Sequence, residues 1–435
     1  MSRYLAISNN IIVDIVELEK DFEKSDSVHE FDTVVTDNLS LYTVGETYNI
    51  DDYVRRYPPL RLTDAGVDSQ TGAPAQMMYI PSDYVVSYSE NINQYPIKNL
   101  YISSNFTTDP YLDQIWNEIA KVIGINVVSS PAEYNLILTD TSAYNSAGTI
   151  NNYISVDSFN QLTDRISQQE LQLPVLPAVV PRVDSDLDSF GDVPIFVKHR
   201  RTYGKSTNKF AYTLWNSPSD LRKNIVDGDL WEYQNNPLEM IGELIIVPAI
   251  TQPLLVHSVS FSVNENSEVL FLRTHTGFTQ KSGEYLDGEI YPYVDPIIQT
   301  NISNICLNMG VKGGIHEVEF ALYNDQLVLL DWNPRPGFGN SATGRDIKSG
   351  VMVAALAHMV GLPVPTLNPY YTIQRNYADL NLSSSLCVDA QQSGILARCQ
   401  RDRLYSLAYT GQTKQDCVDA LNNFESRFNI TRNSI

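Results

Sequence analysis

Short runs rich in apolar and β-branched residues open the chain. Residues 4–8, 11–16, 33–36 and 39–43 read as short strands, with Asn9-Asn10 and Asp37-Asn38 as turn formers between them. Residues 1–57 are therefore expected to form a small β module. Residues 58–96 are rich in Pro, Gly, Asp, Ser and Tyr without a period and read as a linker draped over another domain. From residue 97 the pattern changes. A strand at 100–103 precedes residues 110–124, where Ile115, Ile119, Val122 and Ile123 recur at helical spacing, and strands follow at 125–128 and 136–138. This β-α-β-β order predicts a small α/β domain over 97–180, closing with a helix from about 156 to 170. Residues 181–365 read as strand, loop, helix, long strands, then helix and hairpin. Residues 366–435 add strand-like segments within 397–410 and an amphipathic helix over 414–424 with Cys417, Val418, Leu421 and Phe424 on one face.

Charge narrows the partners. The 51 acidic against 30 basic residues give a net charge of −21, which repels nucleic-acid phosphate and anionic membrane surfaces. Neither is expected as a partner. The apolar run at 11–16 is interrupted by Asp14 and has no basic leader. No other stretch approaches the roughly 18 to 20 apolar residues of a membrane span. Four cysteines without metal-ligand spacing read as buried fillers in a reducing, cytoplasmic compartment.

The chemistry concentrates in residues 315–337. Strands on both sides of Asn324-Asp325-Gln326 predict a β-hairpin. Side chains two apart on a strand share a face, so Glu317 and Glu319 point one way, as do Asp331 and Asn333. A three-residue loop pairs Tyr323 with Leu327 and so sets Glu319 opposite Asp331 and Glu317 opposite Asn333. Facing carboxylates repel unless a cation lies between them, and a carboxylate–amide oxygen set suits Mg²⁺. A solvated polar hairpin face is the other reading. Arg335, fixed between Pro334 and Pro336 at the strand end, suits bidentate grip on phosphate or carboxylate.

In these residues the chain resembles the ATP-grasp superfamily, whose signature is an acid on one strand and acid-x-Asn-x-Arg on the next. Here that is Glu319 followed by Asp331, Asn333 and Arg335, with Asp331 standing where the family usually has Glu. A second matching stretch is the strand 193–198 ending in Lys198. After it come His199, Arg200 and Arg201 and then Gly204, Lys205 and Ser206, which look like the family's phosphate-covering flap with a single glycine. The resemblance implies an α+β ATP-grasp fold in which two α+β subdomains grip ATP. A small α/β pre-ATP-grasp domain and an N-terminal β module precede it. The domains are expected at 97–180 and 181–365, with 366–435 completing the ATP-grasp region.

By the same resemblance Glu319, Asp331 and Asn333 bind one or two Mg²⁺ ions, and Lys198, Gly204, Lys205 and Ser206 hold phosphates. Backbone groups around Ile246, Val247 and Ala249 hydrogen-bond adenine. Val197 and Leu329 are the apolar walls, while Arg335 and Arg273, the latter read as closing a strand at 269–272, serve catalysis. The acid that the family commonly places after the hinge is missing at 250–252, and for its earlier lysine the chain offers Arg165 or Arg182. His275 and Lys281 are read as a polar covering loop and His316 as facing the core. The activity implied is ATP-dependent ligation of a small-molecule or peptide carboxylate to an amine through an acyl phosphate, with homo-oligomers left open. A non-catalytic nucleotide-binding or structural protein is the alternative. Residues 9–16 also look faintly like N-terminal β modules of tailed-phage proteins.

Overall fold

The computed structural model describes residues 161–201, 208–235, 242–250, 254–279, 285–334, 350–377, 382–383, 385–400 and 403–431. It also describes the shorter stretches 2–8, 11–18, 33–36, 44, 61–62, 76–81, 99–102, 119–120, 123–128 and 136–138. At the N-terminus β1 (Ser2–Ser8), β2 (Ile11–Leu18) and β3 (Thr33–Thr36) form an antiparallel sheet in the order β2-β1-β3. The expected strand at 39–43 lies outside the described residues. Two strands, β4 (Arg61–Leu62) and β5 (Gln76–Tyr79), fall in the stretch read as a linker. A parallel sheet follows, with β6 (Asn99–Ile102) between β7 (Asn126–Val128) and β8 (Leu136–Leu138).

The remaining chain builds two sheets. The smaller has β9 (Ile195–His199) between β10 (Thr213–Trp215) and β11 (Leu244–Pro248). Helices α1 (Pro218–Asn224) and α2 (Asp229–Gln234) share a core with it, packing Leu221 and Leu230 with Ile195, Val197, Leu244 and Ile246. The larger sheet is formed by β12 (Leu254–Val263), β13 (Val269–Thr279), β14 (Tyr285–Tyr291), β15 (Ile315–Tyr323), β16 (Gln326–Asn333), β17 (Tyr371–Asn376), β18 (Leu396–Gln400) and β19 (Arg403–Gly411). With β4 and β5 at its far edge it has ten strands, in the order β16-β15-β12-β13-β14-β17-β19-β18-β5-β4.

Helices cover the large sheet. α3 (Pro296–Asn308) buries Ile302, Ile305 and Cys306 against Val259, Phe261, Val318, Phe320 and Trp332. α4 (Val351–Met359) is apolar almost all round and buried almost throughout, packing with Leu272, Ile315, Leu396 and Ala408. α5 (Ser385–Gln392) and α6 (Lys414–Arg427) close the C-terminal core through Cys387, Ala390, Cys417, Leu421 and Phe424. Asp295 starts α3 by accepting from the Ile297 and Ile298 amides ahead of Pro296, and Thr413 with Asp416 forms a reciprocal cap on α6. All four cysteines are buried thiols. Among the described residues no helix is long and apolar enough to cross a membrane.

His316 belongs to the core, as its alternation with the acids predicts. Its ring stacks on Phe261 at 5.3 Å, Nε2 lies 3.2 Å from the Gly313 carbonyl, and Trp332 Nε1 donates to Nδ1 at 3.4 Å. Burial pushes its pKa down to about 4, so the ring stays neutral in the fold while the unfolded chain takes up a proton near the ordinary value of 6.5. The associated stability is fully present above about pH 6.5 and lost as the pH falls toward about 4. That loss comes to ~3 kcal/mol at 1.36 kcal/mol per pK unit. Urea unfolding at pH 7 and 4.5 should show it, and His316→Gln should flatten the difference; equal acid sensitivity in the variant would contradict the assignment.

Candidate active site

The hairpin of β15 and β16 reaches the predicted register by an unpredicted route. Asn324 and Asp325 both take left-handed φ, 50° and 61°, forming a two-residue turn that pairs Tyr323 with Gln326 rather than Leu327. A bulge between Glu319 and Phe320 then restores the offset: Phe320 pairs with Leu329, but Glu319 stands opposite Asp331 and Glu317 opposite Asn333. The bulge leaves Leu330 outside the ladder. Its carbonyl instead accepts from Lys198 Nζ at 3.0 Å.

Across β12 the same face continues with small side chains. Ser258 lies opposite Glu319 and Ser260 opposite Glu317, and beyond them His275 and Arg273 stand opposite Ser258 and Ser260 on β13. Glu317, Asn333, Ser258, Ser260, Arg273 and His275 are all buried. Two expectations need correction here. Arg273 does not close a strand, because β13 runs on to Thr279; its Nη1 and Nη2 donate to the carbonyls of Leu272 at 2.9 Å and Asn368 at 2.7 Å. His275 is a sheet residue rather than part of a covering loop, seated over Gly288 so closely that a Cβ there would lie 2.5 Å from its Nε2. Lys281 lies outside the described residues.

From the small sheet comes Lys198, on the β9 face that also carries Phe196. Burial and the neighbouring Arg165 charge push its pKa down to about 7, against the opposing pull of Asp331 and Glu319. Arg165 reaches Asp331, with Nη2 2.7 Å from Oδ2, and its Nη1 donates to the His199 carbonyl at 2.6 Å. The sequence pattern placed Arg165 inside a helix. The helix instead ends at Thr163, because Asp164 is drawn into an ion-pair network and accepts the Ile166 amide at 3.0 Å. The Asp-Arg pair inside an otherwise helical pattern was the available signal.

That network also includes two arginines of the basic run after Lys198. Arg200 grips Asp164 through Nε and Nη2, at 2.8 and 2.7 Å, and donates Nη1 to Glu243 at 2.7 Å. Arg201 lies 3.3 Å from Asp164, and Arg182 pairs with Glu243. Burial alone would raise the Asp164 pKa. The Arg200 hydrogen bond, both arginine charges and the Ile166 amide outweigh it and hold the group below the ordinary carboxylate value. Arg200 and Arg201 are thus engaged by acids of the chain itself. Gly204, Lys205, Ser206 and Arg335 lie outside the described residues.

The side chains named as apolar walls, Val197 and Leu329, lie in two separate cores. Val197 and Ile246 point into the core shared with α1 and α2, and Leu329 packs with Phe320 and Trp332. The cluster joining the two sheets is Ile245, Val247 and Val328 with Leu176, flanked by Phe196 and Leu330. The hinge backbone is partly engaged as well: Ile246 exchanges both backbone hydrogen bonds with Val179, and the Ala249 amide donates to the Pro194 carbonyl. Tyr212, which the sequence reading passed over, holds φ at 59° and sets its ring edge-on to His199 at 5.1 Å.

Among the described residues no three His, Cys, Asp or Glu side chains are close enough to enclose a metal unaided. Two opposed carboxylates with an amide nearby are instead the set Mg²⁺ accepts when phosphates and water complete its shell. The residues present fit such an ion.

No protein-family model matches the chain, and no curated protein matches it in sequence. Solved structures do match in shape. An N5-carboxyaminoimidazole synthetase from Staphylococcus aureus complexed with ADP superposes with a TM-score of 0.51 at 15% identity, covering 77% of this chain and 99% of that one. An N5-carboxyaminoimidazole synthase from Aspergillus clavatus, in complex with ADP and the aminoimidazole ribonucleotide, gives 0.52 at 12% identity, with 77% and 99% covered. The fold is therefore ATP-grasp.

Proposed function

We propose that this chain is an ATP-dependent ligase that activates a carboxylate as an acyl phosphate and passes it to an amine, releasing ADP and phosphate. In this reading residues 1–57 are an added β module, 97–180 a pre-ATP-grasp domain, 181–365 the ATP-grasp domain and 366–435 its completion. The observation that carries it is convergence. Glu319 and Asp331 from the large sheet meet Lys198 from the small sheet and Arg165 from the stretch ahead of β9, so two acids and two basic side chains gather at one place. That is the charge arrangement a magnesium–triphosphate needs, and solved structures of this fold hold ADP.

At that place, Glu319, Asp331 and Asn333 would hold Mg²⁺, which when bound draws negative charge from the phosphates. Lys198, with Lys205 and the flap amides of Gly204 and Ser206, neutralises phosphate oxygens. Val247 and its neighbours in the cluster between the sheets offer apolar surface to the base. Val179 takes both backbone groups of Ile246, so of the pair Ile246 and Ala249 the hinge role falls to the Ala249 carbonyl. Phosphoryl transfer to a carboxylate needs positioning and charge compensation rather than a protein nucleophile, and Arg335 with Arg273 is assigned to the acyl phosphate. The substrates are small-molecule or peptide carboxylates and amines, and the working compartment is the cytoplasm.

The test is thermal unfolding with ATP in the presence and absence of Mg²⁺, together with ADP release on adding pooled carboxylates and amines. Mg²⁺-dependent stabilisation with ADP release supports ligation, stabilisation alone points to a nucleotide-binding protein, and neither removes the reading. One consequence concerns Lys198, whose pKa near 7 leaves it partly neutral at pH 7. A polyphosphate beside it favours the charged form, so nucleotide binding should take up a fraction of a proton. Calorimetry in buffers of different ionisation enthalpy reads this uptake, and Lys198→Gln should abolish it.

A further inference from the structure

Asp331 has a cation within the chain itself. Arg165 is buried and places Nη2 2.7 Å from Asp331 Oδ2, on the carboxylate that faces Glu319 across the hairpin. We infer that Arg165 is a positioning residue that decides when the acidic pair accepts a metal: it serves as the internal counterion of Asp331, so that a divalent cation enters well only together with nucleotide. The inference rests on the ligase reading above but adds an order of events to it.

Three observations carry it. The contact between Arg165 and Asp331 uses one guanidinium nitrogen, whereas Arg200 holds Asp164 with two and Glu243 with a third. The first pair is built to exchange and the second to stay. Among the described residues Arg165 Nε is buried without a hydrogen-bond partner, so its seat against Asp331 is incomplete. An acceptor with several oxygens, such as a polyphosphate, completes the seat by forking across the guanidinium. Finally, the Arg165 amide donates to the Arg200 carbonyl at 3.0 Å, which fixes the backbone, so exchange is a side-chain rotation and not a loop movement. A cation approaching without nucleotide meets Arg165 and Lys198 already beside the acids. A cation arriving with phosphates meets an arginine that has another anion to hold.

The probe is Mn²⁺, with free ion counted by electron paramagnetic resonance against full-length protein, with and without ADP. Wild type should bind Mn²⁺ alone weakly and bind it about tenfold or more tighter in the ternary complex than in the absence of ADP, within the range of couplings between linked sites. Arg165→Gln should bind Mn²⁺ alone about tenfold tighter than wild type, with the gain from ADP shrinking to match. Arg165→Met provides the same comparison should the glutamine variant fail to fold. Mn²⁺ affinity in the variants equal to or below wild type, with Mn²⁺–ADP still bound, overturns the inference and leaves the ligase reading standing. Equal binding to wild type with and without ADP also overturns it, whatever the variants do. Absence of Mn²⁺ binding even with ADP removes the metal reading as well.

Discussion

Asp331→Asn should lower ADP release by about a hundredfold or more while the protein stays folded. A metal at transferring phosphates contributes several kcal/mol of charge stabilisation, and each 1.36 kcal/mol is a decade of rate. Asparagine keeps the shape and an oxygen within reach of Arg165, so the 2.7 Å contact survives as a hydrogen bond from the guanidinium to a neutral amide oxygen while the anionic ligand is lost. The unfolding midpoint should accordingly move by only a few degrees, as expected for about 1 kcal/mol. Steady-state ADP release over a Mg²⁺ series checks this, and a variant within threefold of wild type at every concentration would show that Asp331 holds no catalytic metal.

The second large effect is on stability. Asp164→Ala should cost about 3–5 kcal/mol, because truncating one partner of a buried ion pair strands the charges left behind. Asp164 is 2% exposed and faces both Arg200 and Arg201, and its loss removes their shared anion together with the acceptor for the Ile166 amide. Urea unfolding at neutral pH measures it. A loss under about 1 kcal/mol would place the network among surface ion pairs, which contribute little. Asp164→Asn, which keeps the hydrogen-bond acceptor, should fall between.

The hairpin shows what was legible from residues alone and why. Alternation of acids with core residues placed Glu319 opposite Asp331 correctly, yet the three-residue loop behind that pairing is absent. A tighter Asn-Asp turn and a bulge offset one another, and neither is encoded by period alone. A similar ambiguity holds in runs such as 244–248, where every position is apolar and the period cannot say which face meets the second sheet. Arg165, Arg200 and Arg201 depended on long-range partners. Asp164 and Arg200 are 36 residues apart, and Arg165 and Asp331 are 166 apart, so local pattern could name these side chains as basic but could not say which carboxylate each one reaches.

The sharpest measurement is a crystal structure of the full chain with a non-hydrolysable ATP analogue and Mg²⁺. It should show the ion about 2.0–2.1 Å from carboxylate oxygens of both Glu319 and Asp331, with Lys198 against the phosphates. A nucleotide bound elsewhere, or these two carboxylates turned away from a correctly seated triphosphate, would contradict the proposal.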